Sequence, residues 1–320
     1  MSTYRIAVNI EWTGACNARC VMCPRDALAR PRHMDEATYR QVLSRLAPNE
    51  VFRAVIAGYG EPTVHPRFDH FVEQTREALV PVDMVTNGEW LDEARLQALD
   101  GVFGTLVVSF SSIDAPVYRH VHAGLDQQRV MDNLILARRT FRKTKLAVSL
   151  TPLTECIETL PETIAWLRNQ GIDALTLSPS LYDRAGTVQP RNAGAPDLRR
   201  VIRQYGLHSQ EYDFVPSLGD LFGQWRANRF RCLPRNSDLA IAADGSYQYC
   251  FNDPGRRHPL GTVANLGIRE TLALRERTGP DPELCAECAT RTRYRPRELL
   301  QAAAGYMRLH PLQTWSKPKP

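Results

Sequence analysis

The strongest constraint on the fold is an alternation, along the first 177 residues, of short apolar segments with segments of helical periodicity. The first apolar segment, 4–12, places Ile6, Val8 and Ile10 on one side, with the period of two expected of a strand. Helices between strands return the chain to the same sheet, so the alternation predicts a parallel sheet. The predicted strands are 4–12, 51–57, 80–86, 105–110, 145–151 and 174–177, and the predicted helices are 35–48, 66–79, 91–99, 129–141 and 160–169.

Six strands that alternate with helices predict an α/β protein built as a curved, partial (β/α)6 TIM-like barrel. In barrels of this kind the functional residues follow the carboxyl ends of the strands. We therefore expect the loops after the strands to share one mouth.

Three cysteines, Cys16, Cys20 and Cys23, follow the first predicted strand with the spacing C-x3-C-x2-C. A structural zinc site normally has four protein ligands, so three thiols leave such a site incomplete. Three thiolates on a 4Fe-4S cluster leave one iron open to a small molecule. The alternative interpretation is a pair of zinc ligands with an unrelated third thiol.

The spacing and position of this triad resemble those of the radical S-adenosylmethionine (SAM) superfamily. The resemblance implies that the triad holds a 4Fe-4S cluster whose open iron binds SAM. An electron from the cluster would cleave SAM, and the resulting 5'-deoxyadenosyl radical would take a hydrogen atom from an unactivated C–H bond. The family usually has an aromatic residue before the third cysteine; here it is Met22, whose thioether can pack against adenine.

A second part of the resemblance is the segment Gly58-Tyr59-Gly60-Glu61-Pro62, which follows the second predicted strand and is similar to the family's Gly-Gly-Glu-Pro turn. Tyr59 replaces the first expected glycine, which leaves Gly60 to allow close backbone approach. The resemblance implies that this turn contacts SAM, with backbone carbonyls and Glu61 accepting hydrogen bonds from the SAM ammonium group. Further predicted SAM contacts, all of residue types common in turns, are Asn87, Ser109, Ser111 and Asp114.

Four more cysteines form a second set: Cys232, Cys250, Cys285 and Cys288. Asp244-Gly245 lies between two short apolar segments, 239–242 and 247–250, and predicts a hairpin. Four thiols form a closed set suited to zinc or to a fully ligated 4Fe-4S cluster, and the residues alone do not choose between them.

Behind a radical SAM barrel, this second set resembles the twitch domain, the shortened form of the SPASM domain. The resemblance implies an auxiliary 4Fe-4S cluster that can accept an electron from a substrate radical. The loosened pattern over 182–216 predicts a boundary between a barrel, 1–215, and a twitch-like domain, 216–320, which ends in a helix over 297–308.

The eighth cysteine, Cys156, lies just beyond the fifth predicted strand. Free cysteines are commonly buried as small apolar side chains, which is one interpretation. The other comes from resemblance to twitch-type aminoglycoside epimerases, in which such a cysteine gives a hydrogen atom to the substrate radical.

Composition and charge indicate the cellular compartment of the protein and exclude some kinds of binding partner. Arg5, Asn9 and Glu11 interrupt the apolar residues at the N-terminus, so no signal peptide is predicted, and no apolar run is long enough to span a membrane. We expect a cytoplasmic protein in which cysteines bind metal rather than form disulfides. The net charge of +5 comes from 40 basic residues scattered among 35 acidic ones, without a nucleic-acid-binding motif, so neither nucleic acid nor membrane is an expected partner.

The resemblance in size and domain plan implies a radical SAM oxidoreductase or epimerase that acts on the carbinol carbon of a sugar-like natural product of the aminoglycoside or aminocyclitol type. Because the chain starts almost at its first strand, we expect no leader-peptide-binding domain, which favours a small-molecule substrate. An external electron donor such as flavodoxin or ferredoxin is implied. The alternatives are a radical SAM maturase of a ribosomally made peptide and a zinc-bearing binding protein. Candidate carboxylates for a cationic substrate are Glu11, Glu89, Glu155 and Asp183.

Overall fold

The structure is a computed structural model that describes residues 5–24, 32–172, 174–177, 198–209, 218–226, 231–232, 238–251, 253–285, 291–292, 296, 299–300, 303–304 and 307. Within these residues, no helix is long and apolar enough to cross a membrane.

The strands of the described residues form one large sheet and one small one. They are β1 (Ile6–Ile10), β2 (Val51–Ile56), β3 (Val82–Thr86), β4 (Thr105–Ser109), β5 (Lys145–Leu150), β6 (Leu175–Leu177), β7 (Arg231–Cys232), β8 (Asp238–Ile241), β9 (Tyr247–Gln248) and β10 (Arg291–Thr292). The large sheet has the order β6-β5-β4-β3-β2-β1-β8-β9, while β7 and β10 form an antiparallel pair. Because β6 and β9 lie at opposite ends of the large sheet, the sheet is open rather than a closed barrel.

Strands β1 to β6 pair in chain order, and every pair is parallel. This mostly parallel, unclosed sheet confirms the predicted partial TIM-like fold. β8 pairs in parallel with the free edge of β1, and β9 pairs with β8 in antiparallel fashion, as the Asp244-Gly245 turn predicts. Gly245 has a φ of 78°, which favours glycine in such a turn. The division at residue 215 stays a prediction.

The helices of the described residues are α1 (Glu36–Arg45), α2 (Phe68–Thr75), α3 (Glu93–Leu99), α4 (Ala115–Val121), α5 (Gln127–Thr140), α6 (Thr154–Glu158), α7 (Leu160–Asn169), α8 (Leu198–Tyr205), α9 (Leu218–Arg226) and α10 (Ile268–Thr278), with a 3-10 helix at Pro62–Val64. The five helices predicted between the strands are present as α1, α2, α3, α5 and α7. The predictions missed α4, α6, α8 and α9. Of these, α4 and α6 are at most seven residues long and therefore too short for a clear period. The helix predicted over 297–308 lies largely outside the described residues.

The core is centred on β1, which is buried on both faces as expected of a parallel sheet covered by helices. Beyond its end, Trp12 is 1% exposed and makes edge-to-face contacts with an aromatic cluster that includes Tyr39 at 5.6 Å and Phe71 at 5.5 Å. The chain therefore leaves the sheet from a firmly packed residue only four positions before Cys16.

Asp114, one of the predicted SAM contacts, is the N-cap of α4, and its side chain accepts a hydrogen bond of 2.9 Å from the Val117 N–H. We expect Asp114→Ala to lower the free energy of unfolding by about 1 kcal/mol, the usual cost of a lost cap, and Asp114→Asn to lose little. Urea unfolding followed by circular dichroism measures both. Equal losses in the two variants would contradict a capping role.

Candidate active site

The loop that carries the cysteine triad is held against the end of α4 by its main chain. The Arg19 N–H donates to the Ala123 carbonyl at 2.7 Å, and the Val21 N–H donates to the Val121 carbonyl at 3.1 Å. The donors are the two neighbours of Cys20, and the acceptors are the two neighbours of His122. The protein main chain therefore fixes the Cys20 loop to the end of α4 without a contribution from a bound metal.

The three thiols are partly exposed and form no disulfide. The Ala18 N–H points to Cys16 Sγ at 3.4 Å, Cys20 Sγ lies 3.3 Å from His122 Nδ1, and Cys23 Sγ lies 3.8 Å from the Tyr59 carbonyl oxygen. Three cysteines on one short loop, with a backbone N–H directed at the Cys16 sulfur and an imidazole nitrogen beside the Cys20 sulfur, are a donor set that fits a thiolate-ligated cluster.

In the described part of the chain, no three Cys, His, Asp or Glu side chains converge as ligands of a single metal ion. A 4Fe-4S cluster does not need three side chains to meet at one metal ion, since each thiolate binds a different iron atom of the cluster.

The turn at Gly58–Pro62 packs directly on the cysteine loop. The Glu61 N–H donates to the Ala15 carbonyl at 2.8 Å. A Cβ atom built on Gly60 would lie 2.0 Å from the Thr13 carbonyl oxygen and 2.5 Å from that of Ala15. Glycine is needed here because the two backbones are in contact, which agrees with the close approach predicted for Gly60. A Cβ on Gly58 would likewise lie 2.5 Å from the Glu11 side chain.

Glu61 is 3% exposed and its carboxylate accepts hydrogen bonds from within the protein. Oε1 accepts from the hydroxyls of Thr63 and Thr86, both at 2.7 Å, and Oε2 accepts from the Asn87 N–H at 2.7 Å. Burial raises the pKa of Glu61, and the bonds from Asn87, Thr86 and Thr63 act against that rise. The carboxylate thus joins the turn to the end of β3, and its contact with the SAM ammonium stays a prediction.

A side-chain network that the sequence analysis missed continues from Asn87 to the cysteine loop. Asn87 Nδ2 donates to Asn17 Oδ1 at 2.7 Å, and Asn17 Nδ2 donates to Glu89 Oε2 at 2.6 Å. Glu89 Oε1 in turn accepts from the Asp126 N–H at the start of α5. Glu89 thus binds protein groups in this structure, and its contact with a cationic substrate stays a prediction.

Tyr59, which replaces the first glycine of the family's turn, connects three parts of the site. Its N–H donates to Glu11 Oε2 at 2.7 Å, its carbonyl faces Cys23, and its hydroxyl donates to the Phe251 carbonyl. Phe251 directly follows Cys250, so Tyr59 links the loop of the first cysteine set to a loop of the second. The Glu11 carboxylate is thereby also bonded to a backbone group.

The other predicted SAM contacts differ in exposure. Ser109 is partly exposed at the end of β4, whereas Met22 is 8% exposed and Ser111 is fully buried. The structure brings Asn87, the Gly58–Glu61 turn and the cysteine loop together. Contact of each of these side chains with SAM stays a prediction.

Cys156 lies on α6 and is 0% exposed. Burial raises the pKa of its thiol to about 12; the Glu155 carboxylate adds to the rise, and the Ser111 hydroxyl opposes it. The Oε1 atom of Glu155 lies 3.9 Å from Nε2 of His120.

Of the second cysteine set, Cys250 and Cys285 are described, and both are partly exposed and free of disulfides. Only the backbone of Cys232 is described, in β7, and Cys288 lies outside the described residues, as does Asp183. A small cavity beside Cys250 is lined by Asp238, Tyr249 and the buried Arg275.

The model of the Radical SAM superfamily matches residues 10–167, the segment that contains the triad, the Gly58–Pro62 turn and Asn87. Residues 10–167 are therefore a radical SAM domain, which identifies the chain as a member of the radical SAM superfamily. Membership implies a 4Fe-4S cluster and SAM, and the three thiols on the loop after β1 fit the cluster.

Among curated proteins, the chain is similar to the tungsten-containing aldehyde ferredoxin oxidoreductase cofactor-modifying protein of Pyrococcus furiosus, with 27% identity over 178 residues. The match covers 53% of this chain and 50% of that protein, so the chain spans about half the length of this relative.

Two solved structures share the fold. Streptococcus suis SuiB bound to the precursor peptide SuiA has a TM-score of 0.66 at 15% identity and covers 90% of this chain and 70% of SuiB. BtrN in complex with AdoMet and 2-DOIA has a TM-score of 0.50 at 17% identity and covers 91% of this chain and 93% of BtrN.

We expect Gly60→Ala to lose most of the iron bound at the triad, because the new methyl group would push the turn away from the Thr13 and Ala15 carbonyls. Iron and sulfide analysis after anaerobic reconstitution measures the loss. Gly255→Ala is the matched control, since a Cβ there meets nothing within 4 Å. Wild-type iron and sulfide in Gly60→Ala would contradict the close-approach argument.

Proposed function

We propose that this radical SAM enzyme takes a hydrogen atom from the carbinol carbon of a sugar-like natural product of the aminoglycoside or aminocyclitol type. The support in known structures is BtrN, which was solved with AdoMet and 2-DOIA and matches almost end to end. That likeness is one of fold, so the substrate class is the part of the proposal that most needs a test.

The observation that carries the proposal is the hydrogen bond from the Tyr59 hydroxyl to the Phe251 carbonyl. It joins the turn beside the triad to the chain next to Cys250, and it supports one active site that uses both cysteine sets. When bound, the two clusters and SAM would supply the hydrogen abstraction and the one-electron transfers, with the first electron from a flavodoxin or ferredoxin.

The protein's own residues have three tasks in this proposal. Cys16, Cys20 and Cys23 bind the first cluster, and the Gly58–Glu61 turn with Asn87 orients SAM. Cys250 and Cys285, with Cys232 and Cys288, bind the auxiliary cluster.

The burial of Cys156 favours two-electron oxidation of the carbinol to a ketone over epimerisation. A hydrogen-atom donor must touch the substrate carbon, and this thiol has no exposed surface. Oxidation needs no such donor, because a cluster held by Cys232, Cys250, Cys285 and Cys288 would accept the electron of the substrate radical as that radical loses a proton.

A second candidate function is the maturation of a ribosomally made peptide. It is favoured by the higher TM-score with SuiB, a protein solved with its precursor peptide. Release of 5'-deoxyadenosine with a precursor peptide, and with no sugar, would favour this alternative.

Metal analysis tests the second cysteine set. We expect about eight iron and eight sulfide per wild-type chain, and about four of each when Cys250 and Cys285 are both changed to Ala. The triple variant Cys16→Ala, Cys20→Ala, Cys23→Ala is the matched control and should also keep about four. One zinc with about four iron in the wild type would overturn the auxiliary cluster and support a zinc site there.

Turnover in deuterated solvent tests the outcome of the reaction. In an anaerobic screen of aminocyclitol and aminoglycoside intermediates, we expect a ketone, stoichiometric 5'-deoxyadenosine and no solvent deuterium on carbon. Cys156→Ala should keep a rate close to the wild type, since the substitution removes a buried thiol that packs in the core and does not touch the substrate. Deuterium on the product carbon, together with loss of that product in Cys156→Ala, would instead establish epimerisation with Cys156 as donor.

A further inference from the structure

We propose that His122 donates an N–H···S hydrogen bond to Cys20 and thereby raises the reduction potential of the cluster held by Cys16, Cys20 and Cys23. His122 is thus a positioning and tuning residue for SAM cleavage. The inference rests on the cluster at the triad and not on the identity of the substrate.

The backbone holds His122 and Cys20 opposite each other. Residues 19 and 21, on either side of Cys20, donate main-chain hydrogen bonds to residues 123 and 121, on either side of His122. The His122 N–H is itself used at the end of α4, where it donates to the Tyr118 carbonyl at 2.8 Å. The 3.3 Å distance between Cys20 Sγ and His122 Nδ1 therefore follows from main-chain pairing rather than from a free rotamer.

The direction of the hydrogen bond follows from the chemistry of the two atoms. A cysteine that binds iron is a thiolate and can only accept a hydrogen bond. The imidazole is 1% exposed, and its Nε2 has no hydrogen-bond partner among the described residues. With the proton on Nδ1, the ring donates to the Cys20 sulfur and has no unpaired buried N–H. With the proton on Nε2, the sulfur receives no hydrogen bond from the ring and the Nε2–H is buried without an acceptor among the described residues.

The ring cannot easily turn away from the sulfur. It packs at 4.9 Å against the ring of Tyr118, which is itself fully buried. This packing keeps Nδ1 aimed at Cys20.

A hydrogen bond to a cluster sulfur favours the reduced state, because the positive end of the N–H dipole stabilises the added electron. The electron comes from an external one-electron donor, the cluster goes from its 2+ to its 1+ state, and His122 keeps its proton. His122 therefore makes the cluster easier to reduce before SAM is cleaved.

The test is a redox titration of the reconstituted holoprotein without substrate, monitored by electron paramagnetic resonance of the reduced cluster. His122→Phe removes the donor and keeps an aromatic ring, and we expect the ratio of reduced to oxidised triad cluster at a fixed potential to fall roughly tenfold. His122→Asn places an amide N–H near the position of Nδ1 and should recover most of the wild-type ratio.

Tyr118→Phe is the matched control, because it removes a buried polar atom from the same pocket and leaves the bond to Cys20 in place. It should leave the midpoint unchanged. An unchanged midpoint in His122→Phe, or equal shifts in His122→Phe and Tyr118→Phe, would overturn the proposal.

A measurement on the wild type keeps the proposal testable if His122→Phe does not fold. With 15N-labelled histidine, pulsed electron paramagnetic resonance of the reduced triad cluster should detect a weakly coupled histidine nitrogen. Absence of that coupling, or absence of a cluster at the triad, would overturn the proposal. Failure of every sugar substrate would overturn only the proposed function, because the titration and the labelling experiment use no substrate.

Discussion

The site depends on one backbone contact, the approach of Gly60 to the carbonyls of Thr13 and Ala15. This contact brings the turn after β2 against the loop after β1, and the Glu61 N–H completes it with a hydrogen bond to Ala15. Because a Cβ at Gly60 would meet two carbonyl oxygens, main-chain contact between the two segments fixes the turn against the loop that carries the triad. Glu61 then extends the same unit to β3 through Thr86 and Asn87.

Carboxylates and amides that resemble ligand-binding groups in the sequence also support the site internally. Glu11 binds the Tyr59 N–H, Glu61 binds the end of β3, and Glu89 binds Asn17 and the start of α5. An active site that must orient a small cofactor needs such rigid support, since a displacement of about 1 Å can cost a large factor in rate.

Much of the fold could be predicted because its elements have strong local signals. The six barrel strands show either apolar–polar alternation or a continuous apolar run, and the Asp244-Gly245 dipeptide predicts the β8–β9 hairpin. The triad could be predicted from its spacing and its position after the first strand, and the turn from its glycines and its position after the second. The pairing of β8 with β1 and the short helices α4 and α6 could not be predicted, because tertiary contacts rather than a local period determine them. His122 escaped prediction for the same reason: it lies about a hundred residues from Cys20 and meets it only through the folded main chain.

The pairing of β8 with β1 also bears on when the protein can mature in the cell. Asn9 on β1 bonds Asp238 on β8 across 229 residues of chain, and the Glu11 N–H donates to the Ile241 carbonyl. The strand that leads into the cysteine loop therefore keeps an unpaired edge until most of the chain has left the ribosome. Such long-range pairing forms late in folding. The sheet beneath the cysteine loop is therefore completed by the same segment that leads to Cys250.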